Sequence, residues 1–256
     1  MSKILRESHL NIFKNLPEFI KEEFVFSGGT ALAEYYLEHR LSDDIDFFSI
    51  KKNTPIPIDS LLGALSAIGE TQYEHTHGRG IFGTLSLDEM IKIDFCPLYF
   101  DRINPPIKQK HGYLVDSLDD IAANKLLALC GRHEPKDFID IYFLNKFLNL
   151  DIEALVGLAE KKSQQSYRYL LNLDRAERVC FDKDVFKIVV DFHPDDLKDY
   201  FYQQNKRLKE QALSNADSDE ESDFSRQLIS LNGISMECFI IKIIPAPTHN
   251  GRIFKC

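Results

Sequence analysis

A chain of 256 residues with 44% hydrophobic and 28% charged residues is long enough to bury one or two cores and has the charge fraction of an ordinary soluble protein. Its net charge of -9 supplies no general attraction to nucleic acid, and no apolar run is long enough to span a bilayer. Lys3, Arg6, Glu7 and Lys14 interrupt the apolar residues where a signal peptide would have its h-region; with the cysteines standing singly at 96, 130, 180, 238 and 256, this leads us to expect a cytoplasmic protein.

In chain order, Phe24-Val25-Phe26 reads as a short apolar strand running into Ser27-Gly28-Gly29-Thr30, with a helix from Ala31 to Arg40. Glycine lets a backbone turn sharply and approach a ligand with no side chain in the way. The helix after it begins with unpaired N–H groups, which favour an anion such as a triphosphate tail. His39 and Arg40 fall at the end of that helix, where positive charge suits its dipole and Arg40 can order the loop before Asp44.

The next strand, Asp44 to Ile50, alternates: Ile45 and Phe47 take the core face, and Asp44 and Asp46 share the other. Two adjacent carboxylates repel one another, which argues for a cation between them, and Mg²⁺ commonly binds through one or two carboxylates plus substrate phosphates. His75 and His77 share a strand face as well, but with no third ligand at an evident spacing an exposed edge strand is the better reading. Arg79, between two glycines, is a turn arginine within conceivable reach of phosphate.

Ile91 to Cys96 repeats the strand pattern, with Lys92 and Asp94 on one face, so that Asp94 is a natural third carboxylate. Ser117-Leu118-Asp119-Asp120 has the form of a capping box opening a helix to about Leu129, from which Lys125 projects. Pro135 suits the first turn of a further helix carrying Lys136, Asp137 and Asp140 on a shared face, where Lys136 and Asp140 could equally form a surface ion pair of little consequence.

Helices are then expected over Ile152 to Lys162, Tyr167 to Val179 and Asp195 to Ala212. Lys161, Lys162, Arg168, Arg175, Arg178, Lys206, Arg207 and Lys209 could line a path for an RNA backbone, although a solvated helical surface is the simpler explanation. From Ser214 the chain is polar and acidic like a disordered linker, before an apolar run from Cys238 to Pro245. The expected division is a catalytic α/β region over 1–115, a helical region over 116–213 that completes the site, and a linker and tail over 214–256.

The stretch GGTALAEYYLEHRLSDDIDFF, followed by KIDF and by KLLALCGRHEPKDFIDIYFL, resembles the AbiEii/AbiGii toxin family of nucleotidyltransferases, within the DNA polymerase β-like superfamily. The resemblance implies an α+β fold, a mixed sheet with flanking helices followed by a helical C-terminal region. It implies transfer of a nucleotidyl group from an NTP to a hydroxyl acceptor such as the 3′ end of tRNA, with Mg²⁺ as cofactor and Mn²⁺ as an alternative. Gly28, Gly29 and Thr30 match the phosphate-binding turn, Ser42 a Ser or Thr two positions before the first acid, and Asp44 and Asp46 the metal pair. Asp94 matches a third acid, Lys125 a helix lysine of the catalytic set, and Lys136, Asp137 and Asp140 a closing Lys-Asp-x-x-Asp motif. A non-catalytic nucleotide-binding protein and a small-molecule nucleotidyltransferase are the alternatives, and an AbiEi-like antitoxin is the implied genetic partner.

Overall fold

The computed structural model describes residues 4–76, 80–86, 90–132, 134–166, 171 and 173–216. His77, Arg79, Arg168 and the apolar run of the tail lie outside the described residues.

Two helices, α1 (Glu7–Asn15) and α2 (Glu18–Glu23), lead into β1 (Phe24–Ser27), all four of whose residues are buried. Then come a short helix α3 (Gly28–Leu32), a π-helical turn (Ala33–Leu37) and β2 (Ile45–Lys52). Helix α4 (Ile58–Ser66) precedes the strands β3 (Glu70–Thr76), β4 (Gly80–Ser86), β5 (Met90–Leu98), β6 (Ile107–Lys108) and β7 (Leu114–Val115). The remainder is helical: α5 (Leu118–Gly131), α6 (Pro135–Leu148), α7 (Ile152–Ser163), a 3₁₀ turn (Leu173–Arg178) and α8 (Pro194–Ala216).

The strands form one mixed sheet in the order β3-β4-β5-β2-β1-β7-β6, in which β2 runs antiparallel to β1 and parallel to β5. An α+β class is therefore what the chain has, as the family resemblance implies. β3, which carries His75, is an edge strand as expected.

Alternation along β2 and β5 sends Ile45, Phe47, Ile93 and Phe95 into the core, where the rings of Phe47 and Phe95 stack with centroids 5.1 Å apart. Phe13 of α1 closes that layer, 4.8 Å from Phe26 and 4.4 Å from Tyr113. The same apolar cluster continues through Leu126, Phe138, Phe143, Leu155 and Phe201 of the helices. At about 25 cal/mol per Å² of apolar surface removed from water, each such ring contributes roughly 2–3 kcal/mol.

Several expected boundaries move. The helix expected from Ala31 to Arg40 begins at Gly28 and ends at Leu37, because Glu38 donates its N–H to the Ala33 carbonyl at 2.8 Å and turns left-handed at φ 50. His39 and Arg40 thus leave the helix: Val189 donates its N–H to His39 at 3.0 Å and Leu41 donates to Lys187 at 2.9 Å. Asp44 precedes β2, since the ladder with β1 stops at the pair Ser27–Asp46 once that strand turns into α3. The helix expected over Tyr167 to Val179 is, within the described residues, the 3₁₀ turn alone. Residues 214–216, expected to begin the linker, extend α8.

Candidate active site

The Gly28–Gly29 turn is fixed by what lies against it. Gly28 has φ +74, and a Cβ there would overlap the Asp46 carboxylate, which lies across the ladder on β2. A Cβ on Gly29 would overlap the Arg40 guanidinium and come within 3.5 Å of Lys125 Nζ. Gly28→Ala should therefore cost roughly 1–3 kcal/mol of stability from backbone strain. It should also displace Asp46; the urea midpoint and NTP turnover, measured together, test this, and an unchanged midpoint would refute it.

The turn borders a cavity of 330 Å³, within the range usual for small-molecule sites. Of the expected site residues Gly28, Gly29, Ser42, Asp44, Asp46, Asp94, Lys125 and Lys136 line it. Thr30, Asp137 and Asp140 do not. Thr30 is buried and donates its hydroxyl to Ser42 Oγ at 2.7 Å, which orients Ser42 at the rim.

Asp137 and Asp140 are fully buried behind the cavity wall. Asp140 accepts from Arg40 Nε at 2.7 Å and Nη2 at 3.1 Å, and lies 2.7 Å from Lys125 Nζ. His39 Nε2 sits 2.8 Å from the same carboxylate. Asp137 accepts from Arg132 Nε at 2.8 Å and Nη2 at 3.0 Å, with Lys125 Nζ at 3.4 Å. Asp137 and Asp140, with Glu134 3.8 Å from Arg132, hold three cations, Arg40, Lys125 and Arg132, and all three line the cavity. Lys136, exposed and with no carboxylate partner among the described residues, adds a further positive charge to the lining.

Burial alone would raise the Asp140 carboxyl, but Arg40, Lys125 and the hydrogen bond from His39 hold it well below the usual range. Burial lowers His39, leaving a neutral imidazole that donates to Asp140.

The part of the lining formed by β2 and β5 is acidic. Asp46 and Asp94 stand side by side in the parallel register of β2 and β5, and Lys92 donates to Asp94 at 2.5 Å. Burial raises Asp46, and the nearby Asp44 adds to the rise. Asp94 is pushed up to about 7 by burial and then by Asp46, against the opposing pull of Lys92. Burial draws the Lys92 ammonium down, but Asp94 outweighs it and the net direction is up. Asp94 Oδ1 is buried with no hydrogen-bond partner among the described residues. A cation there would satisfy that oxygen and relieve the mutual repulsion. Among the described residues no three His, Cys, Asp or Glu side chains converge as a ready-made metal cage, so any cation would draw further oxygens from substrate or water.

The loop bearing Asp44 is gripped from both sides. Arg6 Nη2 lies 3.3 Å from Asp43, Lys187 donates to the same carboxylate, and His9 Nε2 bonds the Asp43 carbonyl at 3.0 Å. Sequence reasoning took Arg40 for a helix-end residue and passed over Arg132, although both stand inside the quoted stretches. Four of the basic residues considered for an RNA path have carboxylate partners: Lys162 is buried on Asp120 at 2.6 Å, Lys209 lies 3.3 Å from Asp174, Lys206 lies 3.9 Å from Glu210 and Arg207 lies 3.9 Å from Asp151.

A glycine turn pressed onto a strand carboxylate, paired acids on neighbouring strands and an anchored set of cations thus border one cavity. The chain belongs to the AbiEii nucleotidyltransferase toxin family: the family model described as "Nucleotidyl transferase AbiEii toxin, Type IV TA system" matches residues 15–231. A curated relative, the uncharacterized protein aq_aa25 of Aquifex aeolicus (strain VF5), is 28% identical over 163 residues, 63% of this chain and 77% of its own length. Among solved structures, JHP933 from Helicobacter pylori is similar with a TM-score of 0.46 and 20% identity, covering 84% of this chain and 100% of that one. MenT4, the nucleotidyltransferase toxin Rv2826c from Mycobacterium tuberculosis H37Rv, gives 0.44 and 16%, covering 86% and 84%. No helix among the described residues is long and apolar enough to cross a membrane.

Proposed function

We propose that this protein transfers a nucleotidyl group from an NTP to a hydroxyl of an RNA acceptor, the 3′ end of tRNA, in a reaction that requires Mg²⁺ and accepts Mn²⁺. The observation that carries the reading is the pairing, across one cavity, of a glycine turn and four cations with the carboxylates of Asp44, Asp46 and Asp94. Gly28 and Gly29 admit the phosphates to the backbone, and Arg40, Lys125, Arg132 and Lys136 balance their charge. Asp46 and Asp94, side by side on β2 and β5, would hold the metal with oxygens of substrate and water, and Asp44 would add negative charge beside them; the metal when bound would supply positive charge at the reacting phosphate and acidify the acceptor hydroxyl. Asp94, with a carboxyl near neutrality, takes the hydroxyl proton as the acceptor oxygen bonds to the α-phosphorus. The bond from that phosphorus to the bridging oxygen breaks, and pyrophosphate leaves. A toxin of this kind calls for an inhibitory partner, and an AbiEi-like antitoxin is the expected one.

The test is incubation with each α-labelled NTP and total RNA, with Mg²⁺ or with EDTA. Label on tRNA, lost in EDTA, supports the reading; binding of NTP with no labelled product overturns it in favour of a non-catalytic nucleotide-binding protein.

Protons and metal should compete at the acidic wall. Asp46 and Asp94 are both raised in the folded state, so above their unfolded values near 4, and up to about 7 for Asp94, the metal-free fold binds protons that the unfolded chain does not. Metal-free stability from this source falls as pH rises through that window, whereas Mg²⁺ needs the ionised forms. Saturating Mg²⁺ should therefore raise Tm more at pH 8 than at pH 6. An increment independent of pH in thermal-shift measurements would refute this.

A further inference from the structure

Only one end of the cavity is accounted for by phosphate and metal. Phe48 lies two residues beyond Asp46 on the same face of β2, and in the parallel register it pairs with Cys96 as Asp46 pairs with Asp94. Both Phe48 and Cys96 line the cavity, which therefore passes along the sheet from paired acids to an aromatic ring and a thiol.

Helix α5 roofs the cavity in a known direction. Arg102 donates to the Ile50 carbonyl at 2.8 Å and to Asp116 at 2.6 Å, which ties the start of α5 to the Phe48 end of β2. Further along, Lys125 reaches Gly29, and Arg132 after the last turn reaches Asp137. Ile121 thus stands over the apolar end, and Asn124 stands between it and the cations.

Among the described residues that line the cavity, Asn124 is the only carboxamide and Phe48 the only aromatic ring. The Asn124 side chain is half-buried, and it has no hydrogen-bond partner among the described residues. A carboxamide presents a donor and an acceptor side by side, the pattern that matches the edge of a nucleobase. An aromatic face stacks on any base and supplies affinity without choosing among them. Building on the nucleotidyl-transfer reading, we infer that the Phe48–Ile121 end of the cavity seats the nucleobase of the donor NTP, and that Asn124 selects which base is accepted.

The inference is tested by kcat/KM for ATP, GTP, CTP and UTP with the wild type, Asn124→Ala, Asn124→Asp and Phe48→Leu. Alanine is the better helix former, so the first variant keeps α5 intact. The wild type should prefer some NTPs, and Asn124→Ala should shrink that preference by on the order of ten- to a hundredfold. Rates with the disfavoured NTPs should change little. Asn124→Asp, which keeps the acceptor and loses the donor, should reorder the four. Phe48→Leu should raise KM for all four together and leave their order intact. Equal use of the four NTPs by the wild type, or an unchanged preference in Asn124→Ala, overturns the base assignment and leaves nucleotidyl transfer standing. Absence of transfer from every NTP overturns both.

Discussion

Asp46→Asn is expected to lower nucleotidyl transfer by on the order of 10³-fold or more while leaving the protein folded and, at pH 8, at least as resistant to heat. Asp46 touches the phosphate-approaching turn directly, since it occupies the space where a Gly28 Cβ would be, and it stands beside Asp94 in the sheet. On the proposed reading, neutralising it removes a metal ligand and the charge that would attract a cation. Its carboxyl is raised by burial and by Asp44, so the folded state carries the charged form at a cost. Asparagine keeps the shape without that cost, which is why activity and stability should move in opposite directions. Transfer rates and Tm measured on the same preparation decide the matter. Activity within tenfold of wild type would remove Asp46 from the reaction, and a Tm several degrees lower would mean that the carboxylate stabilises the fold.

The acidic wall was legible in the sequence because its information is local. Alternation in β2 and β5 requires only that Ile45, Phe47, Ile93 and Phe95 be apolar and their neighbours polar, and the structure buries those four. Ser117 as a cap and Pro135 at the first turn of α6 are equally local, and both hold. The pairing of β2 with β5 is not local: nothing within either strand states that Asp46 and Asp94 share a register. Where the chain leaves α3 was also obscure, because the left-handed Glu38 and the pairing of His39 to Leu41 with residues near 188 are decided by a segment about 150 residues away.

The Lys-Asp-x-x-Asp helix shows most clearly how spacing can mislead. Lys136 and Asp140 are correctly spaced for a surface pair, yet α5 packs against α6 and buries Asp137 and Asp140, leaving Lys136 exposed in the cavity wall. A cue was present in Phe138, Ile139, Ile141, Tyr142, Phe143 and Leu144, which are apolar on every side of α6 and all buried. A helix with no polar face is an interior helix, so acids on it need partners from elsewhere in the fold. The motif's two acids therefore hold Arg40, Lys125 and Arg132 from behind the cavity wall and do not line the cavity themselves.

Asp140→Ala is accordingly expected to be the most destabilising single change at this site. Removing the carboxylate strands the buried Arg40 guanidinium and the His39 imidazole and leaves Lys125 only its longer contact with Asp137 at 3.4 Å. Breaking a buried pair from one side costs about 3–5 kcal/mol, a large share of the roughly 5–15 kcal/mol that holds a domain folded. With a urea dependence of about 2 kcal/mol per M, the midpoint should fall by about 2 M. The Asp140 carboxyl is held well below its ordinary value, so its stabilisation is fully present above the unfolded value near 4 and is lost as pH falls below it. The gap between wild type and variant should be wide at pH 7 and close towards pH 2, as measured by urea titration at each pH. A gap that stays constant from pH 7 to pH 3 would show that Asp140 contributes by filling space and not by its charge.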